Sequence, residues 1–372
     1  QEALMTNVAT PGFKPPLDAS LSMGIIGNCG FSALVDQQAR IVWCCMPRFD
    51  SPPVFNALLQ PGDDASAFGI EIENFASARQ WYEPNTAVLR TQLFDTAGQG
   101  IEITDFAPRY QSRSRFFRPM TLVRRVRPIH GAPRIRVNLS VRFDWGRAPS
   151  EVTRGSNHLR FVGEDLTLRL NTDVPVAYVL SQQPFLLTRE HNFLLGADES
   201  LTNGIADTAR LFEQETIAYW CKWSRSLAVP LEWQDAVIRA AITLKLSLFE
   251  ETGAIVAAMT TSIPEAPGSA RNWDYRYCWL RDAFFVVRAL NSLSEVGTME
   301  DYLRWLSNVV VGSKGAHIQP LYGIGLEPEL PESFVDHLQG YRGMGPVRVG
   351  NQAQEHFQHD VYGNIVLGAA QA

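Results

Sequence analysis

The twelve residues from Arg271 to Asp282, RNWDYRYCWLRD, carry four aromatic rings, three arginines and two aspartates. Flat apolar faces beside planar guanidinium and carboxylate groups suit a sugar. The C–H face of a pyranose packs on an aromatic ring, and its hydroxyls take charge-assisted hydrogen bonds from arginine and aspartate. The stretch lies in a loop before an apolar helix that the pattern starts near Asp282, and loops held by rigid helices are where binding groups collect. A structural reading stands beside this one. Trp273, Tyr277 and Trp279 also suit a core, and an Arg281-Asp282 pair at a helix start is favoured by capping and the helix dipole alone. Composition does not separate the two.

Other candidate groups are weaker. GLEPELPESFVDHL, from Gly325, holds Glu327, Glu329, Glu332 and Asp336. Acidic loop residues are mostly solvated, so Glu329 and Glu332 are retained only as weak candidates for an acid and base. His356 and His359 have the i, i+3 spacing of a helical metal pair, but no third ligand with suitable spacing accompanies them, and no metal is expected. The glycine-rich stretches HLQGYRG and PVRVGN lack a phosphate-loop pattern, so no nucleotide or other cofactor is expected. Arg342 sits in the Gly-Tyr-Arg-Gly turn, which reads as exposed, and is a better substrate-binding candidate than Arg348. Asp360 reads as a pocket wall or a structural group.

These groups need elements to hold them. The chain has 372 residues, with 45% apolar and 19% charged residues, which is globular composition at a length suited to two domains. A net charge of −6 gives no electrostatic reason to expect nucleic acid as a partner. Five cysteines, an odd number without CxxC spacing, argue against a disulfide framework or a zinc site and point to a reducing cytoplasm. No apolar run approaches the ~20 residues that cross a membrane, and the N-terminal residues lack a signal-peptide pattern. Up to about residue 200, short alternating runs are separated by turns, as in AVLRTQLFDTAGQGIEITDFAP and MTLVRRVRPIHGAPRIRVNLSVRFD. That pattern predicts a large antiparallel sandwich. Helical spacing then takes over. PLEWQDAVIRAAITLKLSLFEETG reads as one complete helix, with Trp233 on its apolar face and Gly253 as its stop. DAFFVVRALNSL, MEDYLRWLSNVVV and QAQEHFQHDVYGNIVLGAAQ read as further helices. The expected organisation is a β-sandwich domain over 1–205, a linker helix over 206–230 and a helical domain over 231–372.

TTSIPEAPGSARNWDYRYCWLRDA resembles the signature of bacterial glycoside hydrolase family 15, the glucoamylase, glucodextranase and trehalase group. GNCGFSALVDQQARIVWCCMPRFDSPPVF resembles the start of that group's N-terminal sandwich, and LPESFVDHLQGYRGMGPVRVGNQAQEHFQHDVYG resembles a second block of its helical domain. The likeness covers nearly the whole chain. It implies an (α/α)6 barrel and exo-acting, inverting hydrolysis of terminal α-linked glucose in starch-type oligosaccharides, dextran or trehalose. It places Arg281 and Asp282 on a pair that grips the outer hydroxyls of that glucose, Tyr275 beside the ring, and Trp279 on the wall of the same subsite. In this group the general acid lies in a Trp-Glu segment after the second block and the base lies farther on. Neither segment is present, so no catalytic residue is expected within this chain, and the barrel is expected to be incomplete. Its exposed inner residues, such as Val286, Leu290 and Leu306, would favour a homo-oligomer. The alternatives are a carbohydrate-binding fragment without catalysis and a sandwich-plus-barrel disaccharide phosphorylase. The expected partner is a small carbohydrate, with neither nucleic acid nor membrane.

Overall fold

The computed structural model of the protein describes residues 12–13, 18–62, 64–315 and 317–370. The residues read for a leader, 1–11 and 14–17, lie outside the described residues.

Two antiparallel sheets share one core. One has the strand order Met23–Gly27, Ser32–Asp36, Ile41–Cys45, Ala67–Ile72, Arg134–Ser140 and Phe185–Leu186, with Pro53–Phe55 on the third strand. The other runs Glu151–Arg154, His158–Val162, Thr167–Thr172, His191–Ala197, Thr121–His130, Gly100–Phe106, Leu89–Asp95 and Phe75–Tyr82. Alternation sends Ile26, Phe68 and Val137 from the first sheet against Leu93, Ile103 and Leu168 from the second. Period-two alternation fixes the buried face of a strand but not its neighbour. The two runs in MTLVRRVRPIHGAPRIRVNLSVRFD therefore do not form a hairpin. The turn at Gly131 (φ +65°) carries the chain from one sheet to the other. Asp105 shares the inward parity of Ile101 and Ile103 and is fully buried, where it takes the Arg124 guanidinium at 2.7 Å.

Helix α1, Val176–Ser181, packs beside the first sheet. Helix α2, Ile205–Arg225, covers the outer face of the second, with Ala209 against Phe106, Val123 and Leu194. Helix α3, Gln234–Leu246, is shorter than its pattern predicts. Leu248–Phe249 turns back to pair with Ala254–Ile255, and Gly253 (φ +92°) belongs to this turn, not to a helix stop. A Cβ there would lie 2.0 Å from the Asp301 carbonyl oxygen, so only glycine fits. Trp233 is in the left-handed region ahead of α3 and is 79% exposed, not on a buried stripe.

Helices α4, Leu280–Ser292, α5, Gly297–Gly312, and α6, Asp360–Ala370, pack around Leu280, Val287, Trp305 and Val361. The expected single helix from Gln352 is broken. A 3-10 turn, Gln352–Glu355, is capped by the Asn351 side chain, and the chain is non-helical over 356–359 before α6 begins. His356 and His359 thus lack the helical register that the metal spacing assumed. Leu290 and Leu306 are buried, contrary to expectation; the apolar side chains left in solvent include Phe285, Val311, Val366 and Leu367.

The two regions are clamped together. Arg109, 1% exposed, makes a fork-to-fork pair with Glu250 at 2.6 and 2.8 Å. Trp43 donates from Nε1 to the Met259 carbonyl at 2.8 Å. No helix among the described residues is long and apolar enough to cross a membrane.

Candidate functional site

Arg271–Asp282 is an extended strand-like segment that becomes a helix. Its backbone bonds to the segment before it: Ser262 N–H to Trp273 O and Ala258 N–H to Tyr275 O, both at 2.9 Å. Extended backbone sends alternate side chains to opposite faces. Asn272, Asp274 and Arg276 are fully buried, whereas Arg271, Trp273 and Tyr275 reach solvent. Cys278–Trp279 then pairs with Leu321–Tyr322, and α4 starts at Leu280.

The inward face is a seam. Arg276 holds Asp274 through two bonds of 2.9 and 2.8 Å, with both side chains at zero exposure. Its remaining arm donates to the Ser51 carbonyl at 2.8 Å, and its plane lies 4.9 Å from the Trp145 ring. The mixture of residue types at 271–282 therefore has two causes, and this half of it anchors the helical region on the sandwich.

The outward face and the helix start form the candidate site. The Tyr275 and Trp279 rings lie 5.4 Å apart at 50°. Trp279 packs among Tyr277, Leu321 and Leu330 and exposes only an edge. Partial burial, then the nearby Glu265 and Asp282 carboxylates, raise the Tyr275 phenol, which keeps it an O–H donor at neutral pH. Burial pushes the Cys278 thiol up to about 12, which removes it as a nucleophile. In the first turn of α4, Arg281 lies 3.4 Å from Asp282 Oδ2 and 3.5 Å from Asp360 Oδ2, the latter opening α6. The three side chains are about half exposed. Asp282 Oδ2 is nevertheless shielded and has no hydrogen-bond partner, because the Arg281 contact is an ion pair without hydrogen-bond alignment. The side chain is otherwise open to solvent, and a carboxylate has about four acceptor sites, so its accessible oxygen retains capacity for hydroxyls.

The remaining sequence candidates have other surroundings. Glu332 is bound by Arg348, which is sandwiched between Trp273 and Phe334 and also donates to Asn272 Oδ1 at 3.2 Å. Arg348, set below Arg342 in the sequence reading, is thus the arginine beside the outward aromatic face. Glu329 is exposed on its loop. Arg342 donates to the Ala19 carbonyl at 2.7 Å and lies over the Tyr341 ring, because its turn folds onto the first sheet through Gly340 N–H to Leu59 O. Neither partner of Arg342 belongs to the Tyr275–Asp282 group. Glu327 pairs with Arg48 of the sandwich at 3.1 Å and accepts from Gly325 N–H. Among the described residues no group of three or more His, Cys, Asp or Glu is placed to hold a metal ion.

Residues 233–372 match the family model for glycosyl hydrolases family 15, and residues 16–182 match the trehalase-like N-terminal model. The chain carries a glycosyl hydrolase family 15 region behind a trehalase-like N-terminal region. It is 29% identical over 358 residues to a trehalase of Thermoplasma volcanium, covering 92% of this chain and 55% of that protein. It is 29% identical over 388 residues to a trehalase of Mycolicibacterium smegmatis, at 96% and 58% coverage. Trehalase 1 of Sulfolobus acidocaldarius is 31% identical over 368 residues, at 95% and 59%. The chain spans a little over half the length of these relatives. The whole Tyr275–Asp282 group and Asp360 fall within the family 15 region.

Proposed function

We propose that the outward group Tyr275, Trp279, Arg281 and Asp282 is the floor of a glucose-binding pocket in a glycoside hydrolase, and that its substrate is trehalose. The observation that carries the reading is the half-exposed Arg281–Asp282 pair at the start of α4, in the same segment as the Tyr275 and Trp279 rings. The partly exposed Tyr275 ring, backed by Trp279, takes the C–H face of a glucose, Asp282 accepts from a hydroxyl, and Arg281 and the Tyr275 hydroxyl donate. The choice of trehalose rests on the names of the relatives.

Inverting hydrolysis needs a carboxylic acid and a carboxylate ~6.5–9.5 Å apart across the glycosidic bond. Asp282 and Asp360 share one arginine and are assigned binding roles; Glu332 is held by Arg348, and Glu329 is exposed on its loop next to Leu330, which packs on Trp279. On the family resemblance, the acid and base are assigned to segments other than these. In the same reading α3–α6 begin an (α/α)6 barrel, and Phe285, Val311, Val366 and Leu367 meet its further helices. The five unpaired thiols fit a reducing compartment.

The test is turnover of trehalose, maltose and isomaltose by residues 1–372 and by a chain extended to the length of the relatives. The extended chain is expected to prefer trehalose and the shorter one to bind sugar without turnover. Turnover by the shorter chain that vanishes in Glu329→Gln or Glu332→Gln would move the chemistry into the loop at 325–338.

A further inference from the structure

The sandwich has an open edge that the proposed glucose floor does not use. Met23–Gly27 ends the first sheet and Phe75–Tyr82 ends the second, and a cleft of about 620 Å³ lies between them. That volume is within the ~300–1,000 Å³ of small-molecule sites. The small residues Gly24, Ala76, Ser77 and Ala78 on its walls leave the space open. Two lining side chains cross from the second sheet to the first. The Tyr82 hydroxyl accepts from Ile25 N–H at 2.7 Å and donates to the Ile25 carbonyl at 2.9 Å, and the Gln80 amide donates to the Asp36 carbonyl at 2.8 Å. Arg239 of α3 holds the Tyr82 ring from above, 3.8 Å from its centre. These ties fix the separation of the walls, so the cleft is formed before anything enters it.

Its chemistry is specific. Among the described residues no charged side chain lines the cleft. The side chains of Ser22, Gln37, Gln38 and Ser77 make no hydrogen bond among the described residues, and neither does the Trp81 indole N–H. Arg79 lies over the Trp81 ring at 5.0 Å and orients it without burying it. Free amides and hydroxyls both donate and accept, and the indole adds a donor beside an apolar face. An anion finds no counter-charge here, and an alkyl chain would strand the polar groups. A ligand with many hydroxyls and an apolar C–H face satisfies both kinds of group.

We propose that this cleft is a separate, non-catalytic binding site for a neutral mono- or disaccharide, with Trp81 as the stacking ring and Gln37, Gln38 and Ser77 as partners for its hydroxyls. The proposal does not depend on the floor reading. Uncharged amides make weaker bonds than an arginine–carboxylate pair, so the cleft is the weaker of the two sites.

The test is calorimetry on the chain extended to the length of the relatives, titrated with a sulfur-bridged trehalose analogue that resists hydrolysis. Wild type should show a stronger and a weaker site. Asp282→Ala should retain the weaker one. Ala78→Trp, which fills the cleft from an exposed strand position, should remove the weaker one and keep the stronger, and the double variant should bind nothing. Trp81→Ala leaves the sheet ties in place and should weaken the residual binding roughly fivefold. Absence of residual binding in a folded Asp282→Ala protein would overturn the proposal, as would residual binding unchanged by both Ala78→Trp and Trp81→Ala. Binding of an uncharged extended peptide in preference to the sugar would assign the cleft to strand addition and overturn it too. Failure of the floor reading looks different: Asp282→Ala would then leave the stronger site intact.

Discussion

Two arginine–aspartate pairs lie within nine residues of each other, and their surroundings differ. Asp274–Arg276 has zero exposure and two bonds below 3 Å, and its spare arm goes to the Ser51 carbonyl. Arg281–Asp282 is about half exposed, spaced at 3.4 Å, shared with Asp360, and has a shielded oxygen with no hydrogen bond. Residue chemistry is the same in both. What separates a structural pair from a binding pair is whether the protein itself satisfies the polar atoms. A buried pair must be complete, because a lone buried charge is costly; an open pair can leave acceptors for a ligand.

The comparison predicts opposite consequences of mutation. Arg276→Ala leaves Asp274 charged and buried, and unfolding in urea should show a loss of about 3–5 kcal/mol, with Arg276→Lys intermediate. Arg281→Ala should cost less than about 1 kcal/mol in the same assay, the usual range for a solvated pair. Equal losses would remove the distinction.

The seam also titrates. Burial alone would raise the Glu250 carboxyl, but Arg109, Lys245 and Arg118 outweigh it and hold it below its ordinary 4.5. A carboxyl depressed in the folded state contributes stability above its unfolded value, and that stability is lost as pH falls through the folded value. Acid unfolding should therefore steepen below about pH 4.5, and Glu250→Gln should lower neutral-pH stability by about 2–3 kcal/mol while flattening that slope. An unchanged slope would show that the Arg109 clamp is not the acid-sensitive element.

Smaller effects bound the site. Glu332→Gln weakens the Arg348 sandwich and should cost about 1 kcal/mol of stability with sugar binding retained. Glu329→Gln should change neither. A loss of sugar binding in Glu329→Gln would contradict the placement of the pocket.

Much of this was legible in the sequence. Alternation gave the strands, helical spacing gave α2, α4 and α5, and the contiguous Tyr275–Asp282 stretch gave the candidate floor. Three features were not. The crossing at Gly131 was hidden because a strand's apolar parity does not say which sheet it joins. Gly253 read as a helix stop because a helix end and a tight turn use the same residue. Asp360 approaches Arg281 only through the packing of α6 against α4, and no local pattern encodes that. The inward Asp274–Arg276 pair was accessible in principle, since period-two alternation within RNWDYR separates it from Trp273 and Tyr275.

The most direct measurement of the central claim is calorimetric titration of glucose into wild type, Asp282→Ala and Arg276→Lys, each checked for folding by circular dichroism. Asp282 is predicted to provide a charged acceptor worth about 1.5–3 kcal/mol, so Asp282→Ala should bind glucose at least tenfold more weakly at unchanged stability. Arg276→Lys should lose stability while the surviving folded protein keeps its glucose affinity. Undiminished glucose binding by a well-folded Asp282→Ala protein would contradict the account.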